Sequence, residues 1–80
     1  MMPIGARVKA EAVEIQEKRF GYFPKAFRWR GRNYHVEAVE RCWTKASKRP
    51  QLCFRVRCPE GQFDLVQDVR LNAWQLSAVN

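Results

Sequence analysis

Arginine alternates with large apolar residues in two stretches of this chain, Phe27-Arg28-Trp29-Arg30 and Phe54-Arg55-Val56-Arg57. In an extended backbone successive side chains point to opposite faces, so this spacing gives one apolar and one cationic face. A guanidinium is planar, permanently charged and carries a fork of donors, which suits it to phosphate oxygens and to stacking on nucleobases. Arg28, Arg30, Arg55 and Arg57, joined by Arg32 at a turn, form a basic stripe if their strands flank a common neighbour, and Lys45, Lys48 and Arg49 extend it into a loop. The ligand such a stripe fits is nucleic acid, held weakly and without strong sequence preference. Glu37, Glu40 and Asp64 are equally able to neutralise these arginines across strands, leaving an ordinary solvated face. Tyr22 and Phe23 sit in a loop with an apolar burden, where they either cap the core or offer a stacking or partner-contact surface.

The remaining reactive residue types do not assemble into a site. Cys42, Cys53 and Cys58 are odd in number and lack the paired Cys-x-x-Cys spacing of zinc centres, and the single histidine, His35, falls inside a strand away from them. The thiols therefore read as reduced, with no metal and no cofactor. Cys53 and Cys58 stand about 17 Å apart along one strand, too far to bridge, whereas Cys42 with Cys53 is geometrically possible. A carboxylate beside arginines is held ionised and makes a poor general acid, so Glu37 and Asp64 read as ion-pair partners. No nucleophile, base and oxyanion donor come together, and the expectation is a protein that is not an enzyme.

These side chains need a scaffold, and 80 residues make one small domain. Three Trp, five Phe and two Tyr supply its core, and ten Arg with five Lys against eight acidic residues leave a net charge of +7 that favours polyanions or an acidic protein partner. Residues 1–7 read as a flexible leader. The parity of the apolar residues from Val8 to Ile15 changes at Ala12-Val13, which reads as a strand with a bulge there or as a strand covering only Val13 to Lys18, with a helix across Lys9 to Glu17 as the competing assignment. Phe20-Gly21-Tyr22-Phe23-Pro24 breaks the pattern as a loop. Residues 25–30 and 33–43 then form a hairpin closed on Gly31-Arg32 as a type II′ turn, which sets Trp29 opposite Tyr34, Phe27 opposite Val36 and Arg28 opposite His35. Val39 and Trp43 are out of phase with Tyr34, so a bulge is expected near Ala38. Leu52, Phe54, Val56 and Cys58 face inward, Phe63 and Leu65 follow after a Pro59-Glu60-Gly61 turn with Asp64 across from Arg57, and residues 73–79 close the domain through Trp74, Leu76 and Ala78. Trp29, Tyr34, Trp43, Phe54, Phe63 and Trp74 all take the inward parity of their strands. The architecture this predicts is all-β: an antiparallel meander of about six short strands closing into an SH3-like or related barrel. No apolar run reaches the length of a membrane span or a signal segment, and a cytoplasmic location is expected.

The series Phe27-x-Trp-Arg-Gly-Arg-x-Tyr-x-Val36, Val39, Trp43, Phe54-Arg55-Val56, Phe63-Asp64-Leu65 and Trp74-x-Leu76 resembles a small uncharacterised bacterial domain family. That family occurs alone and at the C-terminus of some actinobacterial Y-family DNA-polymerase-like proteins. The resemblance covers roughly residues 9–78 and implies a β domain linked, in part of the family, to DNA repair or lesion bypass; it assigns no site residues. Relatives often carry a longer insertion where this chain has residues 44–51. Two functions follow: a non-enzymatic nucleic-acid-binding or DNA-repair accessory module, or a protein-interaction adaptor using a sheet edge or the aromatic loop, as a monomer or homodimer.

Overall fold

The computed structural model describes residues 10–46 and 48–79, so the expected leader lies outside the described residues. Seven strands follow one another: β1 (Glu11–Arg19), β2 (Phe23–Trp29), β3 (Arg32–His35), β4 (Ala38–Lys45), β5 (Gln51–Cys58), β6 (Gly61–Asp68) and β7 (Ala73–Val79). All neighbours are antiparallel in the order β3-β2-β1-β7-β6-β5-β4. The sheet curls into a half-barrel, so the all-β architecture read from the alternation holds. None of the described residues is helical, and no helix is long and apolar enough to cross a membrane.

Local chemistry fixes the turns. In the β1–β2 connection Phe20 (φ 58°) and Gly21 (φ 66°) are both left-handed, and in β2–β3 so are Arg30 (φ 52°) and Gly31 (φ 74°). Two consecutive positive φ values make a type I′ turn, whose twist matches that of the flanking strands. The second hairpin thus closes on Arg30-Gly31 rather than Gly31-Arg32, and the pairs are Phe27↔Tyr34, Arg28↔Asn33 and Trp29↔Arg32. The two-residue displacement leaves the inward set unchanged, because the side-chain period is two. Before β7, the Asp68 carboxylate accepts the backbone N–H groups of Arg70 and Leu71, each at 3.1 Å, an Asx-type turn.

Two runs of chain pass between partners and give the sheet its curl. β1 pairs with β7 over Glu11 to Val13 and with β2 from Glu14 onward. It is a strand and not a helix; Ala10 and Ala12 are exposed, and its irregularities lie after Ile15, not at Ala12-Val13. The second run is β3–β4. Alternating sense along the sheet makes β3 and β4 point the same way, although they lie at opposite ends of the order. The Val36 N–H donates to the Lys25 carbonyl at 2.8 Å, and the next N–H, of Glu37, donates to the Arg57 carbonyl at 2.7 Å. One extended run therefore leaves β2 and joins β5 between consecutive residues, which divides the expected strand over residues 33–43 in two and raises the strand number to seven.

The concavity is filled by aromatic rings. Phe27 stacks on Tyr34 at 5.2 Å between centroids, Phe63 meets Phe27, Trp29 and Tyr34 at 5.8, 6.1 and 5.2 Å, and Phe54 stacks on Trp74 at 5.4 Å. Val56, Cys58, Leu65 and Leu76 complete this core. A bulge at Ser77 in β7, between the pairs Leu65↔Leu76 and Asp64↔Ala78, sends Val79 inward against the core and Ala78 to the other face, reversing the expectation for Ala78. In the β5–β6 hairpin the closing pair Cys58↔Gly61 sets Asp64 opposite Arg55, not Arg57. Phe27 is fully enclosed, so Phe27→Ala is expected to cost about 3–5 kcal/mol. Arg28→Ala, one residue away on the exposed face, is expected to stay within about 0.5 kcal/mol in the same urea melts.

Candidate nucleic-acid interface

In β4 the ladder to β5 runs Ala38↔Arg57, Val39↔Val56, and then Arg41↔Arg55, which leaves Glu40 as an extra residue. A classic bulge of this kind reverses the facing of everything beyond it. Val39 packs against the core, yet Trp43, four residues on, does not belong to the core cluster or to the hydrophobics packed on it. Past the bulge, Cys42 shares the inner face with Phe54, while Arg41 and Trp43 share the outer face with Arg55 and Cys53. The expected inward packing of Trp43 is corrected by this single residue.

On the outer face the Trp43 indole meets the guanidinium carbons of Arg41 at 4.9 Å and Arg55 at 5.8 Å. Arg55 is itself gripped by Asp64 through two parallel hydrogen bonds, Nε to Oδ1 at 2.8 Å and Nη2 to Oδ2 at 3.1 Å. This charge-assisted fork raises the Arg55 pKa, the hydrogen bond contributing more than the bare charge. Lys45 has the same outward parity at the end of β4, and the loop after it carries Lys48 and Arg49. At strand rise, the face from Ala38 to Lys45 is about 23 Å long.

The cations named from the sequence divide into two groups. Arg28, Arg30 and Arg32 belong to the β2–β3 hairpin, at the other end of the sheet order from Arg55 and Arg57, so they do not form one stripe with them. Arg30 is held structurally: its Nε and Nη2 donate to Glu11 at 2.9 and 2.6 Å, and it lies over the Trp29 ring at 4.7 Å. The Arg30 hydrogen bonds hold the Glu11 carboxyl below its ordinary pKa. Arg57 reaches Glu37 at 4.0 Å and Glu40 at 3.9 Å, contacts that are long and exposed. Arg49 pairs with Asp68 at 3.6 Å. Among the described residues Arg28, Arg32, Arg41, Lys45 and Lys48 make no ion pair. Three of these five, Arg41, Lys45 and Lys48, lie on or beside the β4–β5 face. Arg41 and Trp43 were not among the sequence-derived site residues; their signal was the slip in apolar phase after Val36.

Tyr22 and Phe23 bridge the half-barrel. Their rings lie 5.7 and 6.1 Å from Phe54, linking the β1–β2 turn to β5, and the Tyr22 hydroxyl contacts the Cys42 sulfur at 3.9 Å. That contact raises the Tyr22 pKa. No group of His, Cys, Asp and Glu among the described residues could hold a metal ion.

The model of a domain of unknown function, DUF6504, matches residues 2–76, and the chain belongs to that family. No curated protein and no solved structure matched it.

The three thiols are free. Opposite facing rules out the Cys42–Cys53 bridge, since adjacent register pairs Cys42↔Phe54 and Trp43↔Cys53 send the two sulfurs to different sides. Burial pushes the Cys53 thiol up, and burial, reinforced by Glu60 and Glu37, pushes Cys58 up to about 11. A thiol-specific reagent at neutral pH is therefore expected to label Cys42 alone in the folded protein and all three in denaturant. Rapid native labelling of a second thiol would contradict this burial.

Proposed function

We propose that this DUF6504 domain is a non-enzymatic nucleic-acid-binding module acting through the outer face of β4 and β5. The observation that carries the reading is Trp43, turned away from the core and flanked by Arg41 and Arg55 on a face that runs into Lys45, Lys48 and Arg49. Aromatic rings set among cations are what single strands and exposed backbones are held by, the cations taking phosphates and the ring taking a base. The net charge of +7 supports the same partner class. Arg57 contributes as well, because its long, exposed pairs with Glu37 and Glu40 are weak. Arg55, locked by Asp64, acts chiefly by fixing the indole. A role beside DNA repair or lesion bypass follows from the resemblance to the C-terminal domains of polymerase-like proteins.

The adaptor reading has its own support in the unpaired outer edge of β4 and a groove of about 410 Å³ beside it, lined by Phe23, Pro24, Val36, Val39 and Cys42. Titration of single-stranded DNA, duplex DNA and RNA at increasing salt separates the two. With three unpaired cations on the face, the slope of log affinity against log salt is expected at about −2 to −3, and Arg41→Ala should flatten it by about 0.7–0.9. Arg28→Ala, on the other hairpin, should leave it unchanged. Absence of binding to all three nucleic acids at low salt would remove this function and favour the adaptor.

A further inference from the structure

A hollow of about 630 Å³ opens on the outer face beside Trp43, bounded by Lys45, Cys53, Asp64, Val66, Ser77 and Ala78. Arg41 precedes Trp43 by two residues and Arg55 is paired with Arg41, so both guanidiniums approach the indole from the Ala38 end of the hairpin. The hollow lies toward Lys45 and across the sheet toward β7, with the half-buried Trp43 forming part of its lining. We propose that the face takes single-stranded rather than duplex nucleic acid, with one unpaired base seated in this hollow against Trp43. The inference rests on the nucleic-acid reading above and deepens it by naming the strand state of the ligand.

The chemistry of the lining decides what part of the ligand enters. Cys53 is 3% exposed and protonated, Val66 and Ala78 are small and apolar, and together they make a floor that a flat ring covers without losing hydrogen bonds. Asp64 supplies a carboxylate at the edge. Both its oxygens already receive Arg55 N–H groups, and each keeps a further lone pair for an amino or imino donor on a base. The Ser77 hydroxyl donates to the Asp64 carbonyl at 3.4 Å, which leaves its oxygen able to accept. The same carboxylate repels a phosphate or an acidic side chain, so the anionic part of the ligand is directed to Arg41, Lys45 and Lys48 outside the hollow. In a duplex the base faces are stacked on one another and cannot reach a sheet surface without being flipped out. Unpaired bases meet the indole at no such cost.

Three probes of equal length test this: a mixed-sequence single strand, the same strand in its duplex, and a chain of abasic sites. The single strand is expected to bind about tenfold more tightly than either of the others, the scale of one base stacked on an aromatic ring. It should also quench the intrinsic fluorescence, because Trp29 and Trp74 are buried while Trp43 is partly exposed. Trp43→Ala should abolish the preference, and Trp43→Phe should keep most of it while losing the quench, which also covers the case that the alanine variant folds poorly. Equal affinity for all three probes without quenching would overturn the base site while leaving backbone binding in place. Absence of binding by every probe at low salt would instead overturn the underlying reading.

Discussion

The arrangement of the outer face depends on one surplus residue, Glu40. Strand side chains alternate strictly, so without it Val39, Arg41 and Trp43 would share the inner face and an arginine would be driven into an aromatic core. Burying an unpaired guanidinium there is far more costly than leaving one backbone position out of the ladder. With the bulge, Val39 faces Val56 in the interior while Arg41 and Trp43 join Arg55 outside. The indole thereby becomes a surface group held by cations rather than a core group held by rings.

The core tolerates the loss of this tryptophan because the half-barrel is closed from elsewhere. Phe63 collects three rings from β2 and β3, and Phe54 takes Trp74 on one side and the Tyr22-Phe23 pair on the other. These contacts draw β2 and β3 over β5 and β6, and the consecutive hydrogen bonds of Val36 and Glu37 let one run of chain serve both ends of the sheet. No buried side-chain nitrogen or oxygen among the described residues lacks a hydrogen-bond partner. On the outer face Arg41 and Lys45 make no ion pair among the described residues, whereas Arg55 is held by Asp64 and Arg57 reaches Glu37 and Glu40 through long, exposed contacts.

Much of this was legible in the residues. Leu52, Phe54, Val56 and Cys58, with Phe63 and Leu65, alternate without interruption because β5 and β6 pair in one unbroken register, so their facing follows from counting. The type of fold follows from the same alternation. Bulges are marked less sharply: the slip in apolar phase after Val36 points to one near Ala38, but nothing in Val39-Glu40-Arg41 or Ser77-Ala78-Val79 marks which residue is unpaired, and a displacement by one changes the face of every side chain beyond it. The Arg30-Gly31 turn was missed for a related reason. A non-glycine residue with positive φ is uncommon, and Arg30 accepts it where Glu11 grips its guanidinium. The predicted stripe joined arginines of two hairpins that the sheet order separates, while the residues that do gather, Arg41 and Trp43, were hidden by the bulge.

The facing of Trp43 is the claim on which both the interface and the base site stand, and proton–proton contacts of its indole in solution measure it directly. The account predicts nuclear Overhauser contacts from the Trp43 ring to the side chains of Arg41, Arg55 and Cys53, and none to Phe54 or Leu65. Strong contacts to Phe54 and Leu65 would return the indole to the core and contradict the account.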